Sequence, residues 1–325
     1  IQDSICHFQS NLDEINRLDI FRDVKHMDYD TAVEQGSIKA IGEDVVTAFL
    51  NAVKSQSILD CSNSDLKVVY TPLNGSGKMC VTRIFDMIGI KNVTIVPEQS
   101  EPDGNFPTCP YPNPEFREAL QVGLDLCESV QPDLLVATDP DCDRMGIAVR
   151  HNGDYQLLNG NEVGVLLLDF IARNRIANGT MPKHPVAVKT IVSTDLTDSV
   201  AKEYGIELRS VLTGFKYIGD QIAGLEANGE ENRYIFGFEE SYGYLSGSYV
   251  RDKDAVNASM LVCEMAVDYK KQGKTLVDAI HDIYEKHGYF LNELMNFTFE
   301  GQDGMNKMQS IMEHLSTNAP TKIAD

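Results

Sequence analysis

Apolar and polar residues follow two repeating patterns along the chain, one typical of strands and one typical of helices. From residue 41 onward, short runs of β-branched and aliphatic residues, as at 66–70, 93–96 and 134–138, alternate with stretches in which apolar residues recur every three or four positions. Runs of the first kind favour buried strands, and stretches of the second kind favour amphipathic helices. The pattern therefore predicts strands that alternate with helices.

The predicted elements fall into two groups of similar size. The first comprises a helix at 45–53, a strand at 66–70, a helix at 81–88, a strand at 93–96, a helix at 116–127 and two strands around residues 139–144. The second comprises helices at 163–171, 195–204 and 217–225, strands at 186–192, 206–212 and 234–238, and a long helix that Asp254 can cap. Such alternation implies α/β layers with largely parallel sheets, so we expect two related α/β domains.

An acidic loop separates two apolar runs near the middle of the chain. Asp139, Asp141 and Asp143 follow the run at 134–138, Arg144 comes next, and a second apolar run begins at once. Three carboxylates this close repel one another unless a cation lies among them. The spacing suits a small, oxygen-preferring ion such as Mg²⁺, so the three aspartates are predicted metal ligands.

Other interpretations of this loop are less well supported. An EF-hand would need Gly at its sixth position and Glu at its twelfth, where the chain has Arg144 and Arg150. A solvated acidic turn is the simplest alternative, but Pro140 and the flanking strands favour a shaped site. A phosphatase that uses Asp139 as its nucleophile usually carries a hydroxyl residue where Cys142 stands.

The composition limits the binding partners and the cellular compartment that we expect for this protein. The chain has 28 basic and 49 acidic residues among 325, a formal net charge of −21. Nucleic acid and anionic membrane surfaces repel so acidic a protein, and we expect neither as a partner. The seven cysteines are odd in number and include no C-x-x-C pair, which is typical of a reduced, cytoplasmic protein. The longest apolar stretch, 163–172, is too short to span a bilayer.

A glycine turn lies between the strand at 66–70 and the helix at 81–88, where anions often bind. Gly75-Ser-Gly77-Lys78 is not a Walker A loop, which would need Gly at Pro72 and Ser or Thr at Met79. It is not a dinucleotide fingerprint either, because that would need Gly at Cys80. We predict a tight structural turn, with a place in the wall of a ligand cleft as the alternative.

A second turn, Thr213-Gly214-Phe215-Lys216, occupies the equivalent place in the second group. Gly214 would let the backbone approach a ligand, and Lys216 would supply a cation. A simple turn is an equally good interpretation of this segment.

The segment at 237–243 is more specific. It follows a buried strand and places Glu239, Glu240 and Ser241 between glycines. Carboxylate and hydroxyl groups are what sugar hydroxyls require as hydrogen-bond partners. Just beyond it, Arg251-Asp-Lys253-Asp254 sets two cations beside a predicted helix start.

Taken together, these motifs resemble the α-D-phosphohexomutase family, and within it the bacterial α-phosphoglucomutases. The segment at 139–144 resembles the family's Mg²⁺ loop, and 237–241 resembles its sugar-binding loop. The segments at 71–77, 213–216 and 251–254 also match in order and spacing. The resemblance implies two similar three-layer α/β/α domains with mixed, largely parallel sheets.

The resemblance also implies how the chain is divided. Members of the family have four domains, of which the first carries a phosphoserine in a Ser-His-Asn-Pro type loop and the fourth a phosphate clamp of Arg-x-Ser-Gly-Thr type. No Ser-His dipeptide and no Ser-Gly-Thr tripeptide occurs in the 325 residues. We therefore expect a remnant of the first domain at 1–36, the metal-binding second domain at 37–155, the sugar-binding third domain at 156–295, and a lead-in to the fourth at 296–325.

Site roles follow from the resemblance as expectations. Asp139, Asp141 and Asp143 would hold Mg²⁺ against the phosphoserine, and Arg144 would steady the same phosphate. The remaining assignments are substrate binding by Glu239, Ser241, Thr213, Gly214, Lys216 and Arg251, and proton handling or charge compensation by Lys189 and Lys253. The five cations Arg144, Lys189, Lys216, Arg251 and Lys253 would make one cationic cleft for an anionic ligand in an acidic protein.

The implied activity is the interconversion of glucose 1-phosphate and glucose 6-phosphate through a hexose bisphosphate, with the fragment inactive alone. Phosphomannomutase and phosphopentomutase activity are alternatives, because these substrates differ by one hydroxyl or one carbon. A complete Mg²⁺-dependent module that only binds sugar phosphates is an alternative of a different class.

Overall fold

A computed structural model describes residue 17, residues 25–292 and residues 297–319. The chain separates after Ser55 into two units, residues 1–55 and 56–325. The described part of the first unit contains helices α1 (Tyr29–Glu34) and α2 (Glu43–Lys54), and Asp28 caps α1 by accepting a hydrogen bond from the amide of Thr31 at 3.0 Å. Most of the predicted remnant at 1–36 lies outside the described residues, as do residue 296 and residues 320–325 of the predicted lead-in.

The second unit contains a five-stranded mixed sheet followed by a four-stranded one, which confirms the predicted α/β class. The strands of the first sheet are β1 (Lys67–Thr71), β2 (Asn92–Ile95), β3 (Leu134–Thr138), β4 (Met145–His151) and β5 (Asp154–Leu158), in the order β2-β1-β3-β4-β5. β1 pairs in parallel with β2 and β3, whereas β4 runs antiparallel to β3 and β5. β3 and β4 are thus neighbours, and the loop between them emerges at the carboxyl end of β3.

Helices cover both faces of this sheet. They are α3 (Lys78–Ile88) and α4 (Arg117–Val130), with a short 3₁₀ helix at Pro97–Gln99. Val69 and Leu135 pack in one core cluster with Leu120 and Leu124 of α4. The next residue of β1, Tyr70, points to the opposite face because side chains alternate along a strand. There it meets Phe85 of α3 edge to face, with ring centroids 6.0 Å apart.

The second sheet has the same plan with one strand fewer. Its strands are β6 (Val186–Thr190), β7 (Glu207–Val211), β8 (Tyr234–Glu239) and β9 (Gly243–Leu245), in the order β7-β6-β8-β9. β6 pairs in parallel with β7 and β8, and β9 runs antiparallel to β8. The helices are α5 (Gly160–Ala177), α6 (Leu196–Glu203), α7 (Phe215–Ala227), α8 (Ala255–Lys271), α9 (Leu276–His287) and α10 (Gly301–Thr317), with a 3₁₀ turn at Glu231–Arg233.

Helix α8 connects the two sheets. It contacts β3 and β4 of the first sheet and β9 of the second. Asp254 caps its start as predicted, accepting hydrogen bonds from the amides of Val256 at 2.8 Å and Asn257 at 3.2 Å. Because one buried helix packs on both sheets, the loops at the ends of β3 and β8 are brought to the same region.

The structure differs from the predicted elements in a few places. β6 ends at Thr190, two residues early, because a turn closed by the amide of Ser193 on the carbonyl of Thr190 follows directly. Ile191 and Val192 are consequently exposed, at 60% and 48%. The strands β5 and β9 and the helices α1, α9 and α10 were not predicted. Among the described residues, no helix is both long and apolar enough to cross a membrane.

Candidate metal and sugar site

The acidic loop at 139–144 brings its three aspartates together. One carboxylate oxygen from each of Asp139, Asp141 and Asp143 lies within 4.8 Å of the others. Asp139 is fully buried, Asp143 is partly buried and Asp141 is exposed. Between the last two, Cys142 adopts a left-handed backbone with φ 59°, which folds the loop back on itself. The arrangement offers one carboxylate oxygen from each of the three aspartates to a single cation.

Asp139 is the anchor of this loop. Its Oδ1 accepts hydrogen bonds from the amides of Asp143 at 3.0 Å and Arg144 at 2.9 Å, and its Oδ2 accepts one from Nε of Arg144 at 2.7 Å. Burial raises the pKa of Asp139 to about 6, against the opposing effect of the Arg144 hydrogen bonds. A nearby cation would stabilise the ionised form of this buried carboxylate and offset the cost of burial. The residues present therefore fit a bound metal.

Arg144 lies among acidic side chains. Besides Asp139, its guanidinium contacts Glu115 through an Nη nitrogen at 3.3 Å and lies 3.7 Å from Asp143. Its side chain is 30% exposed. The guanidinium of Arg144 is therefore held in one orientation, and its remaining N–H donors are available to a ligand.

Lys253 joins the second sheet's loops to the acidic loop. Its ammonium group donates to Oδ2 of Asp143 and lies 3.3 Å from Oδ1 of Asp252. Burial lowers the pKa of Lys253, but the ion pair with Asp143 outweighs burial and the net pKa is raised. This contact spans 110 residues of sequence and places a cation directly beside a predicted metal ligand.

Main-chain hydrogen bonds hold the acidic loop against the segment at 239–243, hereafter called the sugar loop for the role predicted for it. The amide of Met145 donates to the carbonyl of Tyr242 at 3.0 Å, and Arg144 forms an antiparallel bridge with Gly243. The amide of Ala255 donates to the carbonyl of Cys142 at 3.1 Å. The two loops are therefore fixed to each other through backbone atoms.

Glu239 brings the turn at 213–216 to the sugar loop. It is 3% exposed and accepts a hydrogen bond from the amide of Gly214 at 2.7 Å. Burial raises the pKa of Glu239, while that hydrogen bond and the charge of Lys253 oppose the shift. Gly214 has φ 116°, a conformation that favours glycine. Ser241 lies in the turn two residues further on and is partly exposed.

Glu240 is oriented differently from Glu239. Its Oε2 accepts hydrogen bonds from the hydroxyls of Thr190 at 2.8 Å and Ser193 at 3.4 Å. Together with Tyr242 and Thr213 it lines a cleft of about 650 Å³. The remaining lining residues are Glu115, Phe116, Asn159, Gly160, Asn161, Val192 and Asn292.

Three of the predicted cations have partners elsewhere. Lys189 is 3% exposed and donates to Asp195 at 2.9 Å, Asp198 at 2.6 Å and the carbonyl of Thr194 at 3.2 Å. Lys216 lies over the ring of Tyr217, with its nitrogen 5.0 Å from the centroid, and Arg251 pairs with Glu226. Within the described ranges, only Arg144 and Lys253 contact an aspartate of the acidic loop. The functional roles of all five cations remain predictions.

Sequence reasoning did not identify Glu115 or Tyr242 as site residues, and it named Glu240 only as one of the two acids of the segment at 237–243. Glu115 lies at the end of the proline-rich loop before α4, where nothing in the pattern marks it as a partner of Arg144. Tyr242 has φ 67°, so its carbonyl can reach Met145, and a backbone conformation of this kind carries no strong sequence signal outside glycine.

Two models of one protein family match the chain in tandem. "Phosphoglucomutase/phosphomannomutase, alpha/beta/alpha domain II" matches residues 47–153, and the corresponding domain III matches residues 159–287. The chain belongs to the α-D-phosphohexomutase family. The two matches contain the acidic loop and the sugar loop of this phosphohexomutase chain, respectively.

Curated relatives of this phosphohexomutase chain agree with that assignment. The chain is 39% identical over 261 residues to a phosphoglucomutase of Staphylococcus aureus, which covers 80% of this chain and 46% of that protein. It is 36% identical over 299 residues to a phosphoglucomutase of Staphylococcus saprophyticus, covering 92% and 53%. The chain thus spans about half the length of the curated relatives it matches.

Solved structures share the fold. A phosphoglucomutase/phosphomannomutase family protein from Burkholderia thailandensis superposes with a TM-score of 0.58 at 18% identity, covering 78% of this chain and 50% of that one. The open form of parafusin, a phosphoglucomutase from Paramecium, gives a TM-score of 0.57 at 20% identity, covering 84% and 46%. At these identities the likeness shows the fold alone.

Proposed function

We propose that this chain is the metal-binding and sugar-binding part of a phosphoglucomutase. Such an enzyme interconverts glucose 1-phosphate and glucose 6-phosphate through a hexose bisphosphate. The observation that carries the proposal is the direct contact between the acidic loop, Lys253 and the sugar loop in a chain of this family. The phosphoserine of the reaction would come from outside these residues, because the sequence contains no Ser-His dipeptide. A cytoplasmic location remains a prediction from cysteine usage.

We assign Mg²⁺ to Asp139, Asp141 and Asp143. Mg²⁺ prefers carboxylate oxygens and completes its coordination with phosphate oxygens or water, and the three clustered carboxylates provide the first part of that set. When bound, the ion would supply positive charge against the phosphoryl group as charge develops on it. Asp141 is the ligand with the freest approach, since it is exposed while Asp139 is fixed by Arg144.

Arg144 is suited to hold a phosphate. Asp139 and Glu115 engage its Nε and one Nη nitrogen, which fixes the plane of the guanidinium and leaves other donors for phosphate oxygens. A guanidinium oriented in advance loses less freedom when the phosphate binds, so the interaction is strengthened.

Glu239, Ser241 and the turn at 213–216 would bind the sugar. Glu239 is held by the amide of Gly214, so the sugar loop and this turn form one surface beside Lys253. A carboxylate accepts hydrogen bonds from sugar hydroxyls, and a serine hydroxyl can either accept or donate them, so both groups can bind a sugar in more than one orientation. That property is needed by a mutase, whose bisphosphate must be bound in two orientations. Lys253 would compensate the phosphate charge or transfer the proton of the attacking hydroxyl.

Two measurements test the proposal. Isothermal titration of this chain with Mg²⁺ and then with glucose 1,6-bisphosphate should show binding of both, and the full-length gene product should convert glucose 1-phosphate to glucose 6-phosphate. Mannose 1-phosphate and ribose 1-phosphate in the same assay test the alternative phosphomannomutase and phosphopentomutase activities. Sugar-phosphate binding without any conversion by the full-length product would favour a binding module instead, and robust conversion by this chain alone would refute an external phosphoserine.

Lys253→Met in the full-length protein is expected to lower kcat by about 100-fold or more, the usual range when a proton-transferring or charge-compensating group is removed. The reason is that Lys253 is the one described lysine that contacts an aspartate of the acidic loop. Steady-state kinetics at saturating Mg²⁺ measure the effect.

Lys189→Met is the matched comparison for that experiment and at the same time tests the role predicted for Lys189, whose acidic partners lie outside the acidic loop. Lys189 pairs with Asp195 and Asp198, whose side chains are 82% and 58% exposed and keep their hydration when the lysine is removed. We therefore expect kcat within about threefold of wild type and unfolding free energy within about 1 kcal/mol. If the two variants lost equal activity, the distinction between these lysines would be wrong.

A further inference from the structure

The glycine turn at 71–77 has no role in the site described so far, yet it lies directly against the acidic loop. The turn joins β1 to α3, and β1 is the neighbour of β3 in the sheet. The turn and the acidic loop therefore emerge side by side at the carboxyl ends of adjacent parallel strands.

Gly75 and Ser76 contact the backbone of Pro140. A Cβ placed on Gly75 would lie 2.3 Å from the Cα and 2.6 Å from the carbonyl oxygen of Pro140, well inside the closest approach of real side chains. Ser76 donates to that same carbonyl oxygen, from its amide at 2.8 Å and from its hydroxyl at 3.0 Å. Only glycine at position 75 permits this approach.

Gly77 makes the corresponding contact with Cys142. A Cβ on Gly77 would lie 2.9 Å from the sulfur of Cys142 and 2.7 Å from the hydroxyl oxygens of both Thr138 and Tyr70. Those two hydroxyls are buried and hydrogen-bonded to each other at 2.9 Å. The Cys142 side chain thus packs closely against the turn, Tyr70 and Thr138.

The contacted residues alternate with the metal ligands. Asp139, Asp141 and Asp143 provide the clustered carboxylates, and the residues between them, Pro140 and Cys142, are the ones that meet the turn. The left-handed backbone of Cys142 is unfavourable for a residue with a side chain and persists only where its surroundings hold it. The turn provides those surroundings.

The turn itself is anchored on its other side. Leu73 and Asn74 both have positive φ values, 48° and 57°. The Asn74 side-chain amide donates to the carbonyl of Glu101 at 2.9 Å, and its backbone amide donates to the carbonyl of Gln99 at 2.9 Å. The Thr71 hydroxyl donates to the Gln99 side chain at 2.7 Å. A turn fixed in this way can hold a neighbouring loop in one shape.

We propose that the turn at 71–77 is a positioning element for the metal loop. By holding Pro140 and Cys142, it sets the separation of Asp139, Asp141 and Asp143, so that Mg²⁺ affinity depends on residues that do not touch the ion. The inference rests on the proposed function in one respect, the assignment of the acidic loop as a Mg²⁺ site.

The test is Gly75→Ala in this chain, with two readouts. The first is Mg²⁺ affinity by isothermal titration, which should fall at least about tenfold, the range typical of residues that orient metal ligands. The second needs no metal and measures hydrogen exchange at the amides of Asp143 and Arg144, which donate to Asp139. The exchange ratio is the rate at these two amides divided by the rate at amides in the middle of β4. This ratio should be at least about tenfold higher in the variant than in the wild type, because the loop loses its fixed shape.

Gly89→Ala is the matched control. Gly89 ends α3 with φ 90°, and a Cβ there would lie 2.7 Å from the Cα of Ser62, a comparable backbone overlap away from the acidic loop. The control should lower the melting temperature without changing Mg²⁺ affinity or the exchange ratio. Equal losses of affinity and of protection in both variants would overturn the proposal, because the effect would then be general destabilisation.

Ser76→Ala tests the positioning role of the turn if Gly75→Ala does not fold. It removes only the hydroxyl contact with Pro140 and leaves the backbone bond, so a smaller decrease in protection of the same two amides is expected. Unchanged exchange in Ser76→Ala would then overturn the proposal. Absence of Mg²⁺ binding by the wild-type chain would count against the proposed metal site alone, since amide exchange still reports on the turn.

Discussion

Asp141→Asn is expected to weaken Mg²⁺ binding by this chain about 100-fold or more while leaving the fold intact. Asp141 is the exposed member of the three clustered carboxylates, and none of the residues that the structure describes donates a hydrogen bond to its side chain. Unit charges about 4 Å apart interact by about 4 kcal/mol at an effective dielectric constant of about 20, and solvent exposure removes part of that. Isothermal titration with Mg²⁺ measures the loss, and the full-length product should lose kcat in parallel.

Asp220→Asn provides the control for that loss. Asp220 is an exposed aspartate in α7 and its replacement changes the net charge equally. Both variants should keep their unfolding free energy within about 0.5 kcal/mol of wild type, as surface substitutions usually do. If Asp141→Asn bound Mg²⁺ as tightly as Asp220→Asn, Asp141 would not be a ligand.

Glu264→Ala is expected to destabilise this chain strongly. Glu264 is fully buried in α8 and accepts hydrogen bonds from the Ser57 hydroxyl at 2.5 Å and from the amides of Ile58 at 2.8 Å and Leu59 at 3.3 Å. Alanine leaves a cavity and removes the acceptor from those donors. We expect a loss of about 3 to 5 kcal/mol in unfolding free energy, measured by urea denaturation.

Two further variants define the origin of that loss. Glu264→Gln keeps the size of the side chain and one acceptor oxygen, so about half of the stability should return. Glu285→Ala removes an exposed glutamate from α9 and should change the unfolding free energy by less than about 0.5 kcal/mol. A loss below about 1 kcal/mol for Glu264→Ala would mean that the loop at 57–59 finds other partners.

The elements with strong hydrophobic periodicity could be predicted from sequence. The helix at 116–127 and the strand at 134–138 correspond to α4 and β3, because burial on one helix face or throughout a central strand leaves a clear pattern. β5 and β9 were missed for physical reasons. β5 is a half-exposed edge strand with mixed polarity, and β9 has three residues, too few for any periodicity.

The site could be predicted in part. The clustering of Asp139, Asp141 and Asp143 is local and follows from their spacing, whereas the pairing of Lys253 with Asp143 depends on how two sheets pack on α8. The contacts of Lys189 also depend on the fold, while its functional role stays a prediction. Its place in a buried strand suggested chemistry, but α6 begins near enough to provide Asp195 and Asp198 as partners. Sequence distance alone cannot show which acid a cation will meet.

The backbone bonds between the acidic loop and the sugar loop have a consequence for turnover. Main-chain contacts join Met145 to Tyr242 and Arg144 to Gly243, and a third, from Ala255 to Cys142, joins the acidic loop to the start of α8. The acidic loop and the sugar loop therefore cannot move apart without breaking these main-chain contacts together. If the proposed reaction holds, the bisphosphate must turn around while the distance between the acidic loop and the sugar loop stays constant. Each of its two phosphates must then reach the same three aspartates from a sugar bound at the same separation. Discrimination between sugars would then depend on whether a ligand fits that fixed span in both directions.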